Sequence, residues 1–287
     1  MRHTYEFQMR WADMDNLQQV DTVMAADYLQ EARIDMFGAH ENFLDGGELA
    51  AGAVVARHEL DFVTPLAFRP TETARIESWI TRIRAASFVV TSELVDVTPQ
   101  GRTVYMRAST TGAPYDLATG ALRRLTDREV SVLGTYLEPA EPRRPASRAG
   151  TPRHVHPIRV RWSDVDAFRH VNNVKYLEYF HDARVVYGMA MHEPGDVFGA
   201  TAVVRTDVDF RRPILYRRAA YEIHSWISHV GVKSYTVASE VRDGEEMLAR
   251  AQVVMAGFDR ATGLAEPLTA DHRLRLLQQL HEPALSS

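Results

Sequence analysis

The sequence predicts an α+β protein made of two copies of one unit, each a curved antiparallel sheet wrapped around a single helix. Three observations carry the prediction. The phrase Trp11-Ala-Asp13-Met-Asp15 returns 151 residues later as Trp162-Ser-Asp164-Val-Asp166, and the register holds through Tyr28/Tyr179, Ala32/Ala183 and Arg33/Arg184. Later phrases repeat at slightly smaller spacings, Asp61-Phe62 as Asp209-Phe210 and Ser78-Trp79-Ile80 as Ser225-Trp226-Ile227, so the second copy has shorter loops. Each copy also reads as one strand, one helix that is apolar on more than one face, and four segments rich in β-branched and aromatic residues. Only a sheet that largely encloses it can bury such a helix. Copies this long are folded units, since solenoid repeats are much shorter.

In the first copy the pattern predicts a strand over about 4–11, a helix over about 22–37 and strands over about 52–63, 72–83, 87–97 and 102–115. In the second, His156-Pro-Ile-Arg-Val-Arg-Trp-Ser163 alternates Ile158, Val160 and Trp162 with Arg159 and Arg161, the period of a half-buried strand. Asn173 to Ala190 repeats apolar residues at helical spacing and meets no proline, and no glycine before Gly188, which predicts a helix of about five turns. Strands follow over about 200–211, 219–230, 234–242 and 246–259. Each copy then closes with a Leu-Thr pair whose threonine, Thr126 or Thr269, suits the N-cap of a further helix. Between Leu137 and Pro157 five prolines keep the chain extended, which predicts domains at 1–138 and 156–287 joined by a linker at 139–155. Fusion of two such units lets their sheets pair edge to edge, hiding strand edges and standing in for a homodimer. Whether two fused chains associate further as a homo-oligomer stays open.

Composition excludes several classes. A net charge of −5 makes no electrostatic case for nucleic acid. The absence of cysteine rules out disulfides, thiolate metal sites and a cysteine nucleophile. No run of about 18 apolar residues is present to span a membrane, so the expected compartment is the cytoplasm.

The informative string is Arg161-Trp-Ser-Asp164-Val-Asp166-Ala-Phe168-Arg-His170-Val-Asn172-Asn173-Val-Lys-Tyr176, at a strand-to-helix junction. A helix start presents backbone N–H groups and a positive dipole end, which suit a carbonyl oxygen that becomes negative under attack. A carboxylate one short loop upstream can face the same spot, and Asp166 is better placed for that than Asp164. His170 can orient it, Asn172 can cap the helix, and Asn173 opens it. By spacing alone these residues serve a turn and cap as readily as a catalyst, and Asp164 with Asp166 lacks the further ligands a metal needs. In the first copy Asp15 keeps the carboxylate, Gln19 replaces the histidine, and Asp21 with Thr22 replaces the asparagines. The negative charge of Asp21 opposes a growing oxyanion, so the main site is expected in the second copy, with a structural or weakly catalytic role for the first.

The string Asp166-x-x-x-His170-Val-Asn172-Asn173-x-x-Tyr176, with Glu178 and Ala183-Arg184, resembles the signature of hotdog-fold thioesterases of the 4-hydroxybenzoyl-CoA thioesterase type. It is similar to acyl-CoA and acyl-ACP thioesterases, some of which are double hotdogs. The resemblance implies a tandem hotdog fold and thioester hydrolysis, with Asp166 as base or nucleophile, the N–H of Asn173 polarising the carbonyl, and His170 and Asn172 in support. It implies no metal or redox cofactor. Phe168 stands where acyl-ACP thioesterases carry asparagine, which tilts the expected substrate towards acyl-CoA, with acyl carrier protein as the alternative and a non-catalytic acyl-CoA-binding module as the third reading. Arg211, Arg212, Arg217, Arg218 and Lys233 are cations available for coenzyme A phosphates, but none is assigned as a site. A hydratase of the same fold is disfavoured, because Phe168 and Arg169 occupy the Asn and Pro places of its Asp-x-Asn-Pro-x-His phrase.

Overall fold

The computed structural model describes residues 1–15, 18–38, 52–69, 73–116, 118–140, 150–166, 168–193, 199–259 and 262–281. In the first copy the elements are β1 (His3–Gln8), a 3-10 turn (Trp11–Asp13), α1 (Thr22–Gly38), β2 (Ala53–Phe62), β3 (Thr73–Arg84), β4 (Ser87–Thr98), β5 (Gly101–Asp116), a short β6 (Ala121–Leu122) and α2 (Asp127–Thr135). The second copy gives β7 (His154–Ile158), a 3-10 turn (Trp162–Asp164), α3 (Asn173–Ala190), β8 (Thr201–Phe210), β9 (Tyr221–Val230), β10 (Ser234–Asp243), β11 (Glu246–Gly257) and α4 (Ala270–His281). The chain divides into two compact units, Met1–Arg143 and Arg144–Ser287.

Within the first unit the antiparallel strands lie in the order β1-β3-β4-β5-β2. Within the second they lie in the corresponding order β7-β9-β10-β11-β8. The register slips by one residue at matching points of the two sheets, between Ile80 and Arg82 on β3 and again where β10 meets β9 at Thr236/Val237. Such bulges bend a strand and tighten its twist, which lets the sheet curve around a helix. Each unit is thus an α+β hotdog domain.

The two cores are built from corresponding residues. Met36, Ile80, Phe88, Val90 and Leu133 cluster in the first unit, and Tyr187, Ile227, Tyr235, Val237 and Leu276 take the same places in the second. Removing each such side chain from water stabilises the fold by roughly 1.5–3 kcal/mol. Helix α1 buries Val23, Ala25, Ala26, Leu29, Ala32, Met36 and Phe37, positions spread around more than one of its faces. The closing helices are capped as expected. Thr126 accepts the N–H of Glu129 while the Glu129 carboxylate accepts the N–H of Thr126, a reciprocal capping box. Thr269 Oγ1 accepts the N–H of His272 at 3.3 Å.

The first strand of each unit is shorter than the sequence alternation predicts. Alternation through Trp162 expects it to run to Ser163 with the indole inward, yet β7 ends at Ile158 and Trp162 is 76% exposed. The cause is local: the Asp164 carboxylate accepts the N–H of Arg161 at 2.7 Å and winds the chain into a 3-10 turn. Trp11 is turned out in the same way, by Asp13. Of the linker expected at 139–155, residues 141–149 lie outside the described residues, and His154 and Val155 already belong to β7.

Candidate functional site

The turn before α3 is closed by backbone hydrogen bonds at both ends. Asp166 N–H donates to His170 O at 2.9 Å, Arg169 N–H to Asp166 O at 3.0 Å, and Asn172 N–H to Asp164 O at 2.8 Å. Val165 and Val171 form a bridge across its base. These bonds hold Arg169 in a left-handed conformation, φ 61°, which costs a non-glycine residue about 1–2 kcal/mol and persists only where its surroundings over-determine it. The turn thereby brings Asp166, His170, Asn172 and Asn173 to one end of the buried helix.

Asn172 is the N-cap of α3, its side-chain oxygen accepting the N–H of Val174 at 2.9 Å. Asn173 is the first helical residue. Asp166 is partly buried, and its Oδ1 accepts the N–H of Phe168 at 2.9 Å. Burial pushes this carboxyl above the ordinary aspartate range, against the opposing pull of the Phe168 and His170 N–H groups and of the His170 charge. Proximity to the helix end alone favours ionisation, but desolvation disfavours the charge more than the turn's donors favour it. A carboxyl raised in this way holds and releases a proton closer to neutrality.

Asp164 has a different task. It is 5% exposed, and its Oδ2 receives both the Arg161 N–H and, at 2.6 Å, the Tyr179 hydroxyl. Two donors on one buried oxygen lock the 3-10 turn to the middle of α3. The first unit repeats the lock, with Asp13 receiving the Arg10 N–H at 2.9 Å and the Tyr28 hydroxyl at 2.5 Å. Burial, and then the hydrogen bond to the carboxylate, raise both tyrosine hydroxyls above their usual range and keep them donors. Sequence reading passed over these pairs, although the duplication signals them: an aspartate and a tyrosine fifteen residues on recur together in both copies.

The first unit forms the same turn with other side chains. Asp15 N–H donates to Gln19 O at 2.7 Å, Asp15 Oδ1 accepts the Gln19 N–H at 3.1 Å, and Gln18 takes the left-handed position at φ 60°. Asp21 caps α1 through the Val23 N–H at 2.7 Å. Outside both turns, Trp11 stacks edge-on against Phe68 and Trp162 against Tyr216, at 5.2 and 5.4 Å between ring centres.

Fold and turn together define a duplicated hotdog domain with a carboxylate before each buried helix. The sequence matches the thioesterase-like superfamily over residues 9–146 and again over 160–279, and the chain belongs to that family. Thioester hydrolysis is the activity that membership supports. No curated protein sequence matches the chain. Among solved structures it is similar to a putative oleoyl thioesterase from Lactobacillus plantarum, at 16% identity and a TM-score of 0.73, covering 91% of this chain and 98% of that one. It is also similar to the 12:0-ACP thioesterase of Umbellularia californica, at 15% identity and a TM-score of 0.69, covering 89% and 97%. An acyl-ACP thioesterase from Bacteroides thetaiotaomicron is similar at 16% identity and a TM-score of 0.62, covering 88% and 97%. Identities this low speak for the shared double-hotdog fold. Among the described residues no helix is long and apolar enough to cross a membrane.

Proposed function

We propose that this chain hydrolyses acyl-CoA to the free acid and coenzyme A, with Asp166 of the second unit as the reactive carboxylate. The observation that carries the reading is a partly buried carboxyl, raised above its ordinary range, held one tight turn before a helix that starts at Asn173. The thioester carbonyl docks on the first turn of α3, where the backbone dipoles stabilise negative charge growing on its oxygen. Asp166 then either takes a proton from water as that water attacks, or attacks directly to form a mixed anhydride that water opens. In both routes the thiolate of coenzyme A leaves and is protonated. His170 lies across the turn from Asp166 and orients it, while Asn172 keeps the helix start in shape.

A second reading, cleavage of acyl groups from a carrier protein, draws support from the two full-length structural relatives that are acyl-ACP thioesterases. Phe168, where the acyl-ACP thioesterase pattern that this segment resembles has asparagine, weighs for coenzyme A. Thiol release from a series of acyl chains, each presented on coenzyme A and on acyl carrier protein, tests both: higher kcat/KM on coenzyme A supports the first reading and higher kcat/KM on the carrier supports the second. No thiol release from either carrier at any chain length defeats hydrolysis and leaves an acyl-CoA-binding module.

A further inference from the structure

Two buried tyrosines reach the same short stretch of chain beside the Asp166 turn. Tyr176, on the second turn of α3 and 3% exposed, accepts the backbone N–H of Ile214 through its hydroxyl at 2.9 Å. Tyr221, at the start of β9 and 4% exposed, donates its hydroxyl to Leu215 O at 3.0 Å and stands 3.3 Å from Leu215 N. Those two residues in turn hold the turn itself: Ile214 O accepts the Val171 N–H at 2.9 Å, and Leu215 forms a β-bridge with His170. The Phe210 ring meets Tyr176 edge-on at 5.1 Å and fixes its orientation.

The first unit shows that the fold does not need these hydroxyls. Ala25 occupies the place of Tyr176 and Ala74 that of Tyr221, while the equivalent backbone contacts, Val20 N–H to Leu66 O at 2.9 Å and the Gln19–Ala67 bridge, still form. Volume is made up across the strand pair: Phe7 faces Ala74 where Ile158 faces Tyr221. A phenylalanine ring on the neighbouring strand fills space but brings no hydroxyl to the loop. Burying a hydroxyl costs stability unless it is hydrogen-bonded, so two such groups on consecutive residues of one loop are a specific investment in that loop's position.

We infer that Tyr176 and Tyr221 are positioning residues of the second unit, pinning Ile214 and Leu215 to the α3 side of the domain so that this stretch holds the Asp166–His170 turn, and with it the carboxyl, against the helix start. The inference rests on Asp166 being the reactive group. It also accounts for the asymmetry between the units, because the first keeps the turn and lacks the pins. Consistent with the proximity, the Tyr176 hydroxyl is raised by burial first and by the charges of Tyr221 and Asp166 after it. The charge of His170, from the same turn, acts on the Asp166 carboxyl, and the Asp166 charge acts on Tyr176 of α3.

The test uses Tyr176→Phe, Tyr221→Phe and the double variant in the full chain, since phenylalanine keeps the ring volume and removes only the hydroxyl. One readout needs no turnover: carboxyl carbon NMR titration of 13C-aspartate-labelled protein, with the Asp166 signal assigned by its absence in Asp166→Asn. Loosened pins admit water to the carboxyl, so its midpoint is expected to fall towards that of an ordinary aspartate in each variant. In thioester hydrolysis kcat is expected to fall by about tenfold to a hundredfold with little change in KM, as for a small displacement of a reacting group. The double variant is expected to lose little more than the worse single one, since both act through one segment. An unmoved midpoint in all three variants overturns the inference, even if their melting temperatures drop, as does a moved midpoint with wild-type kcat. A wild-type protein inert towards every thioester defeats the hydrolase reading, and the titration then still decides whether the tyrosines hold the carboxyl.

Discussion

At the turn before the buried helix the first unit presents Asp15, Gln19, Asp21 and Thr22 where the second presents Asp166, His170, Asn172 and Asn173. The backbone bonds correspond, the left-handed residue falls at the same place, and a tyrosine locks the same aspartate in each. What differs is Gln19, Asp21 and Thr22 against His170, Asn172 and Asn173, together with the two tyrosines that pin the neighbouring stretch of the second unit. Duplication has therefore separated two kinds of constraint. Asp13/Tyr28 and Asp164/Tyr179 are kept because a buried carboxylate left without its donors destabilises the unit that holds it. The histidine, the asparagine pair and the pinning tyrosines are absent from the first unit because the fold closes without them.

The largest expected effect tests that division directly. Asp166→Asn is expected to lower kcat for thiol release by on the order of 10³, the scale of a lost general base or nucleophile, and Asp15→Asn by no more than a few-fold. Equal losses would show that both turns work, and loss only in the Asp15 variant would move the site to the first unit. Next come the locks, where the units are expected to behave alike. Tyr28→Phe and Tyr179→Phe each leave a buried carboxylate short of a hydroxyl donor, at a cost of about 1–3 kcal/mol in urea denaturation; of the two, only Tyr179→Phe is expected to slow turnover as well.

Smaller again are the caps. Asn172→Ala and Asp21→Ala each remove the acceptor for a first-turn N–H and are expected to destabilise by about 1 kcal/mol. Turnover is expected to fall with the first and to hold with the second, and the same assay under saturating thioester separates them. Last is a pH effect confined to the second unit. The folded Asp166 carboxyl lies above its unfolded value, so its contribution to stability is fully present below the unfolded value and is lost as pH rises through the folded one. Asp166→Asn is neutral at every pH and keeps an oxygen for the Phe168 N–H. Its melting temperature is therefore expected to exceed wild type at neutral pH and to converge with it in acid; a variant that is no more stable at neutral pH would show that the carboxyl is not strained by burial.

Most of the fold was legible because duplication doubles every signal. The helix predicted over Asn173 to Ala190 is observed with those bounds, and the four strands after it fall within about two residues of the prediction at each end. The error came at Trp162, where alternation of apolar and basic residues looked like a continuing strand. Asp164, two residues on, captures the Arg161 N–H and turns the chain out of the strand, a competition between side chain and strand ladder that periodicity does not weigh. Within the candidate site, the segment from Asp166 to Asn173 was legible because it is contiguous. Tyr221 was not, since it lies 55 residues from Asp166 in the chain and reaches the site only through Leu215.

By itself the sequence determined the duplication, the α+β class, the position of each buried helix and the carboxylate that precedes it, since these are carried by local spacing and periodicity. Tertiary structure alone decided that Asp164 is a lock while Asp166 stays half-buried at the turn, that burial lifts the Asp166 carboxyl, and that two tyrosines meet at Ile214 and Leu215. Burial and hydrogen-bond partnership depend on which segments the folded sheet brings together, and two aspartates two positions apart read alike until one is fully enclosed and the other only partly.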